Sequence, residues 1–309
     1  MADLLEVAKS ILKSNLNIQE SEQVLIVADP ESREAATIFY EAGVALGNET
    51  MLMEMMTRTK SGEEPPKPVA EAMKAADVIL CITYHSLTHT KARKDASAAG
   101  ARVATMPGIT MDMLQEGAIT ADYSEVEQLT NEYCGLLEDG ETVTISKSGS
   151  QLSFSIKGRK AIPSTGVFRN KGESGNLPSG ESYIAPIENS ANGTIFVDGS
   201  IAGIGVVSEP VLLTVEDGRL ADATGKQGRR LLELLGDGNG RIIAEFGIGT
   251  NKNARLTGNV LEDEKVYGTV HIAFGSNKPF GGTNEAGVHI DCVIIEPTVE
   301  IDGKGLDLK

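Results

Sequence analysis

Residues 141–158 read ETVTISKSGSQLSFSIKG. Apolar and polar residues alternate on both sides of a Ser-Gly-Ser turn, the pattern of a β-hairpin with one buried face. Upstream of residue 139 the grammar is different. Compact apolar runs alternate there with helical spacing: QVLIVAD (23–29), a helical stretch from Glu31 to Ala45, TMLMEM (50–55), AEAMKAA (70–76), DVILCITY (77–84), KARKDASAAG (91–100) and ARVATMP (101–107). Such alternation implies βαβ units and a parallel, helix-covered sheet. SEVEQLTNEYCGLLEDG (124–140) has the spacing of a helix leading out of this half. Downstream, GTIFVDGSI, PVLLTVEDGRL, GRIIAEFG, GTVHIAFG and VHIDCVIIEPTVEIDGKGL are rich in β-branched residues and DG or NG turns. KQGRRLLELLG (226–236) is the one helix among them. The expected fold is therefore an N-terminal parallel α/β, Rossmann-like domain over 1–138. A mostly antiparallel, β-rich α+β domain follows over 139–309.

Composition narrows the function. The 309 residues carry a net charge of -16, only 4% aromatic residues and no tryptophan. That combination argues against a nucleic-acid partner, which needs a basic stripe or a stacking surface. No apolar run is long enough to span a bilayer, so no membrane partner is expected. The N-terminal residues Leu4, Leu5, Ala8, Ile11 and Leu12 follow helical spacing and do not form a signal peptide. Cys81, Cys134 and Cys292 show no CxxC spacing and sit in apolar runs, which implies reduced thiols and a cytoplasmic location. The first strand runs into ADPESREAA without glycines, so the dinucleotide fingerprint is missing.

Two of the four histidines, His271 and His289, lie within GTVHIAFGSNKPFGGTNEAGVHIDCVII (268–295). On a strand, His289 and Asp291 share a face, and an imidazole beside a carboxylate suits Zn, Mn, Fe or Co. Glu245 in RIIAEFGIG and Glu181 in GNLPSGESYIAP are acids in apolar strand contexts. Buried, each needs a metal or a salt bridge, for example to Arg169 or Arg255. Together Glu181, Glu245, His271, His289 and Asp291 offer five N/O donors. That is more than one catalytic zinc needs, and about what a two-metal site with a bridging carboxylate uses. His85, following the DVILCITY strand, is a candidate substrate-contacting acid or base, since ligands of open α/β sheets bind beyond strand C-termini. Ser86 and Thr88 next to it have the character of helix N-caps. NKGESGNLPSG (170–180) reads as a flexible loop that places Glu181, and EDEK (262–265) as a solvated turn in which a glutamate could still serve as a base behind the site.

NLPSGESYIAP, AEFGIGTNKNARLTGNVLEDEKVYGTVHIAFG and HIDCVI resemble the thermophilic-type metallo-aminopeptidases, the M29 peptidase family. TMPGIT and AGARV fit that family's first domain. The resemblance implies that Glu181 and Glu245 are metal-binding glutamates and that His271, His289 and Asp291 are the remaining ligands. It implies a hydrolase that releases N-terminal residues from peptides, two divalent ions (Zn, Co or Mn) per chain, and a homodimer. The family has a tyrosine seven residues after the first histidine, where this chain has Lys278. Lys278 therefore joins Glu181 and His85 in the candidate catalytic set. A related branch, the 2,5-dihydroxypyridine dioxygenases, uses a single Fe(II) to open a ring with O₂, for which His271, His289 and Asp291 suffice. A third reading is a non-catalytic binding protein on a degenerate scaffold.

Overall fold

The computed structural model describes residues 3–308. They divide into two compact units, one built from residues up to 124 together with 166–179, the other from 125–165 together with 180 onward. The chain therefore passes between the units three times, where the sequence suggests a single boundary after 138. The helix Tyr123–Asp139 sends Tyr133, Cys134 and Leu137 into the core of the second unit.

The first unit holds the expected parallel sheet. Its strand order is Thr50–Glu54, Val24–Ala28, Val78–Ile82, Arg102–Thr105, Ser174–Asn176, with every neighbour parallel. Val24–Ala28 and Val78–Ile82 are buried at every position, as strands covered by helices on both faces must be. Leu25, Val27, Ile79 and Cys81 pack against Val69, Met73, Ala92 and Ala96 of the helices Lys67–Ala75 and Lys91–Ala98. The fifth strand corrects the reading of 170–180 as a loop. Gly175 lies so close to the Phe168 ring that a β-carbon would stand 2.9 Å from it. Asn176 Oδ1 accepts from the Thr105 hydroxyl at 2.7 Å. A three-residue edge strand of Ser, Gly and Asn owes its existence to such contacts and not to propensity.

Among the described residues the second unit contains two seven-stranded sheets, antiparallel at every named strand pair. One contains the hairpin of residues 142–155, whose Ser148 and Gly149 have φ of 52° and 84°. Positive φ at both central residues is what a two-residue type I′ turn requires. The other sheet has the strands Glu181–Ile184, Ile243–Gly249, Thr269–Gly275 and His289–Ile295 side by side. One core joins the sheets, with Phe154, Ile195 and Leu213 from the first meeting Phe246, Ile272, Phe274 and Cys292 from the second. Each such aliphatic or aromatic side chain contributes roughly 1.5–3 kcal/mol on burial. The helix Gly225–Leu235 adds Leu231 and Leu235 to this core. All three cysteines are free and buried. No described helix is long and apolar enough to cross a membrane.

Candidate metal centre

The alternation that buries Phe246, Ile248, Ile272, Phe274, Ile290 and Cys292 turns the intervening residues to the other face of the same sheet. Those residues are Glu245, Gly247 and Gly249 on one strand, His271, Ala273 and Gly275 on the next, and His289 and Asp291 on the third. Glu181 and Tyr183 come from the strand on the far side. Register sets each donor beside a small residue: Glu181 faces Gly249, His271 faces Gly247, Glu245 and Asp291 flank Ala273, and His289 faces Gly275. The floor between the donors is thus almost bare backbone. A slip of one residue would turn the donors into the core, so the pattern that packs the sandwich also aims the site.

Two local devices complete the aim. The pairing shifts between Ile243, opposite Phe274, and Glu245, opposite Ala273. This irregularity lets Ile243 point into the core while Glu245, two residues on, points away from it. Gly247 is the second device. A β-carbon there would lie 2.1 Å from His271 Nε2 and 2.2 Å from Cε1, so the imidazole occupies the space that any side chain would fill.

The donors converge. His271 Nε2 lies 3.3 Å from Glu245 Oε1 and 3.5 Å from Glu181 Oε2. His289 Nε2 lies 3.4 Å from Asp291 Oδ1 and 3.5 Å from Glu245 Oε2. His289 donates from Nδ1 to the Ser276 carbonyl at 2.8 Å, which fixes the ring with Nε2 toward the carboxylates. Burial works against charge on both imidazoles, but their carboxylate neighbours prevail. His271 is raised to about 9 by its hydrogen bond to Glu245 and by the charges of Glu181, Glu245 and Asp291. His289, 31% exposed and therefore partly screened, is raised to about 10, chiefly by Asp291. Burial pushes Asp291 up, yet the His289 charge and hydrogen bond bring it down to about 2. Glu245 stands above the usual carboxylate range because of burial, with His271 and His289 offsetting part of that rise.

The cluster is larger than the sequence suggests. The EDEK run is not a solvated turn: Glu262, Asp263 and Lys265 are buried. Asp263 accepts from the backbone of Thr257 and Gly258, and Glu262 receives Arg255 at 3.4 Å. Lys265 places its ammonium 2.8 Å from Glu181 Oε1 and also on Glu264. Glu264 is pushed up to about 8 by burial and by the charges of Glu181 and Asp291, against the pull of Lys265. Arg255 thus pairs with Glu262, while Glu181 takes Lys265 as its partner.

The other candidates lie elsewhere. Lys278 is exposed in the turn Lys278–Phe280 and pairs with Glu285 at 2.7 Å. The aromatic group beside the donors is Phe280, whose ring stands edge-on to His289 at 5.8 Å and to Tyr183 at 5.5 Å. Tyr183 is held well above the usual phenol value by burial and by the charges of Glu245, Glu181 and Glu264. Alternation from Glu181 makes Tyr183 legible as a residue of this face, whereas the EDEK run offers a glutamate to the site without singling out Glu264, and no sequence signal marks Lys265. His85 belongs to the first unit, three residues beyond Val78–Ile82, and its carbonyl accepts from the Thr83 hydroxyl at 2.8 Å. The helix after it is capped by Thr90, and Ser86 and Thr88 bond each other. A cleft of about 510 Å³ in the first unit is lined by Asp3, Glu6, Asp122 and Arg169, among others, and holds no histidine or cysteine.

The donor set fits a divalent cation. Three overlapping groups, Glu181–Glu245–His271, Glu245–His289–Asp291 and Glu264–His271–Asp291, each bring their donor atoms within 4.8 Å of one another. Two ligands about 2.1 Å from one ion stand roughly 3.0–3.4 Å apart, close to the separations of 3.3–3.5 Å found here. Glu181 Oε2 is buried without a hydrogen bond. Because both imidazoles hold protons at neutral pH, an ion must displace two protons to bind. Apparent affinity should therefore rise by about 100-fold per pH unit between about pH 6 and 8, measured by competition with a chelator. A slope near zero would contradict the assignment of both rings as ligands. Without metal, the same raised values stabilise the fold below about pH 6.5, and that contribution is lost as pH climbs through 9 and 10.

The family model described as NicX: 2,5-dihydroxypyridine 5,6-dioxygenase matches residues 3–306. No curated protein matches the chain by sequence. Among solved structures, the 2,5-dihydroxypyridine dioxygenase from Pseudomonas putida KT2440 has a TM-score of 0.84 at 19% identity, over 99% of this chain and 95% of that one. Wild-type AmpT from Thermus thermophilus has a TM-score of 0.69 at 18% identity, over 98% and 96%. These two likenesses establish the fold, and the family model spans nearly the whole sequence. The chain belongs to the NicX family of 2,5-dihydroxypyridine 5,6-dioxygenases, a metal-dependent branch of the M29 aminopeptidase fold.

Proposed function

We propose that this protein is an Fe(II)-dependent dioxygenase that opens the ring of a dihydroxylated pyridine. The observation that carries the reading is the sheet face itself: two imidazoles and Asp291 stand on neighbouring strands above a floor of Gly247, Ala273 and Gly275. Two histidines and one carboxylate leave coordination positions open, and the bare floor leaves room beside them. His271, His289 and Asp291 would hold the ion. Ferrous iron so bound supplies the one-electron chemistry with O₂ that spin-paired organic rings cannot undertake unaided. Glu245 stands between the two imidazoles, with Oε1 accepting from His271 Nε2 and Oε2 facing His289 Nε2, so both rings are turned toward it. Phe280 and Tyr183 present aromatic surface against which a flat ring can pack, and Tyr183, kept protonated, donates a hydrogen bond to a ring oxygen.

The aminopeptidase reading, favoured by the resemblance, becomes the second one. Its support is that Glu181 and Glu245 meet at His271, as a bridged two-ion site would need. The family match favours the oxygenase. Anaerobic loading with Fe(II), followed by O₂-electrode measurements with 2,5-dihydroxypyridine, tests the reading. One O₂ should be consumed per ring, with no release of the aniline from amino-acid anilides. Stoichiometric iron with no O₂ uptake on any dihydroxypyridine would sink it. Phe280→Ala is expected to raise KM for the ring by about 5–10-fold with a smaller change in kcat, since an edge-to-face contact is worth about 0.5–1.5 kcal/mol. Steady-state kinetics would check this.

A further inference from the structure

The cluster has donors enough for two ions, because its three groups share members without coinciding. Lys265 stands among these donors. Its side chain is fully buried, and its ammonium lies 2.8 Å from Glu181 Oε1 and in contact with Glu264. It is also locked in place by its backbone. Asn251 donates to the Lys265 carbonyl at 2.9 Å, and Lys265 donates to the Glu262 carbonyl at 3.0 Å. The segment lies directly on Gly249, where a β-carbon would stand 2.1 Å from the Val266 carbonyl oxygen. Gly249 is the residue opposite Glu181, so the bare backbone brings the lysine to that carboxylate.

We propose that Lys265 is a built-in cation that fills the second metal position, so that the centre accepts one divalent ion and refuses another. The ion belongs to the side formed by His271, His289, Asp291 and Glu245. On the side formed by Glu181 and Glu264, the ammonium already stands against both carboxylates. The ammonium sits between two carboxylates, and a second ion would meet it at close range in a medium that screens poorly. The inference deepens the one-ion reading above, but rests only on the cluster being a divalent-cation site and not on the ring chemistry.

The test uses Mn(II), whose electron paramagnetic resonance distinguishes isolated from paired ions, together with elemental analysis. The metal-loaded wild type should bind one ion per chain with the six-line signal of an isolated Mn(II). Lys265→Met should bind two, with a spin-coupled spectrum. Lys265→Gln, which keeps a donor to Glu181 but removes the charge, should give the same result and stands in if Lys265→Met does not fold. Two coupled ions in the wild type would overturn the proposal without recourse to any variant. One ion in both wild type and a folded variant would show that Lys265 is not what excludes the second. No ion in the wild type would instead defeat the metal-centre reading itself.

Discussion

His289→Ala is expected to remain folded while losing iron and ring cleavage together. The imidazole is 31% exposed at the margin of the sheet, and the core contacts of its strand come from Ile290, Cys292 and Ile294. Its removal sacrifices the edge contact with Phe280 and one hydrogen bond to Ser276, about 1–2 kcal/mol, and also the ion pairs with Asp291 and Glu245, whose worth the ring's partial exposure reduces. The chemical cost is much larger. Glu245 and Asp291 keep their positions but lose the neutral nitrogen donor between them. Replacing an outer partner of a ligand already costs about 10–100-fold, so loss of the ligand itself should lower kcat/KM by at least about 1,000-fold. Iron content by elemental analysis and thermal melting of the same sample separate the two effects. A variant that keeps its iron and turns over normally would remove His289 from the centre.

Gly247→Ala should be nearly as damaging, though it alters no donor. The new methyl group would lie 2.1 Å from His271 Nε2, and the buried ring must tilt away or the strand must move. Overpacking of this kind costs about 1–3 kcal/mol of stability. A tilt also withdraws Nε2 from Glu245 and Glu181, so metal affinity should fall by about 100-fold, as it does when a ligand loses its orientation. Gly135→Ala, in the helix Tyr123–Asp139 where nothing lies within 4 Å of the added carbon, is the control. It should gain about 0.5–1 kcal/mol from helix propensity and leave metal binding unchanged. Equal metal affinities for both variants would show that His271 does not need the space over Gly247.

These two positions also show what the sequence could and could not carry. Period-two alternation is local, so His289 with Asp291, and Glu245 with Gly247, could be set on one face from the letters alone. The same alternation would have put Ile243 on that face too, and only the register shift beside Glu245 separates them. Acids in apolar strand contexts and the two strand histidines gave the five donors, the resemblance gave them the role of ligands, and the structure places them on one sheet face. The resemblance also directed attention to Lys278, whose ammonium pairs with Glu285, while Phe280, two residues later, reaches His289. The EDEK run offered a glutamate to the site, but the burial of Glu264 and Lys265 was illegible for a physical reason. A run of four charged residues has no apolar period, and the partner that makes its burial affordable, Glu181, lies 84 residues earlier. The strand Ser174–Asn176 was hidden in the same way, since its residue types favour turns and its pairing with Arg102–Thr105 is purely long-range.

That late strand has a consequence for how the molecule is made. Arg102–Thr105 would be the outer strand of the parallel sheet until Ser174–Asn176 arrives roughly 70 residues later. At ordinary translation speeds, about 5–20 residues per second, the first sheet leaves the ribosome with an unpaired flank for about 4–14 s. Buried Val103 and Ala104 lie along that flank, the kind of apolar edge that recruits foreign strands. The hairpin at 142–155, with its tight two-residue turn, emerges during the same interval. A nascent chain with its first 165 or so residues outside the ribosome would therefore display an open sheet edge and an orphan hairpin at once, two unpaired flanks that the later strands remove.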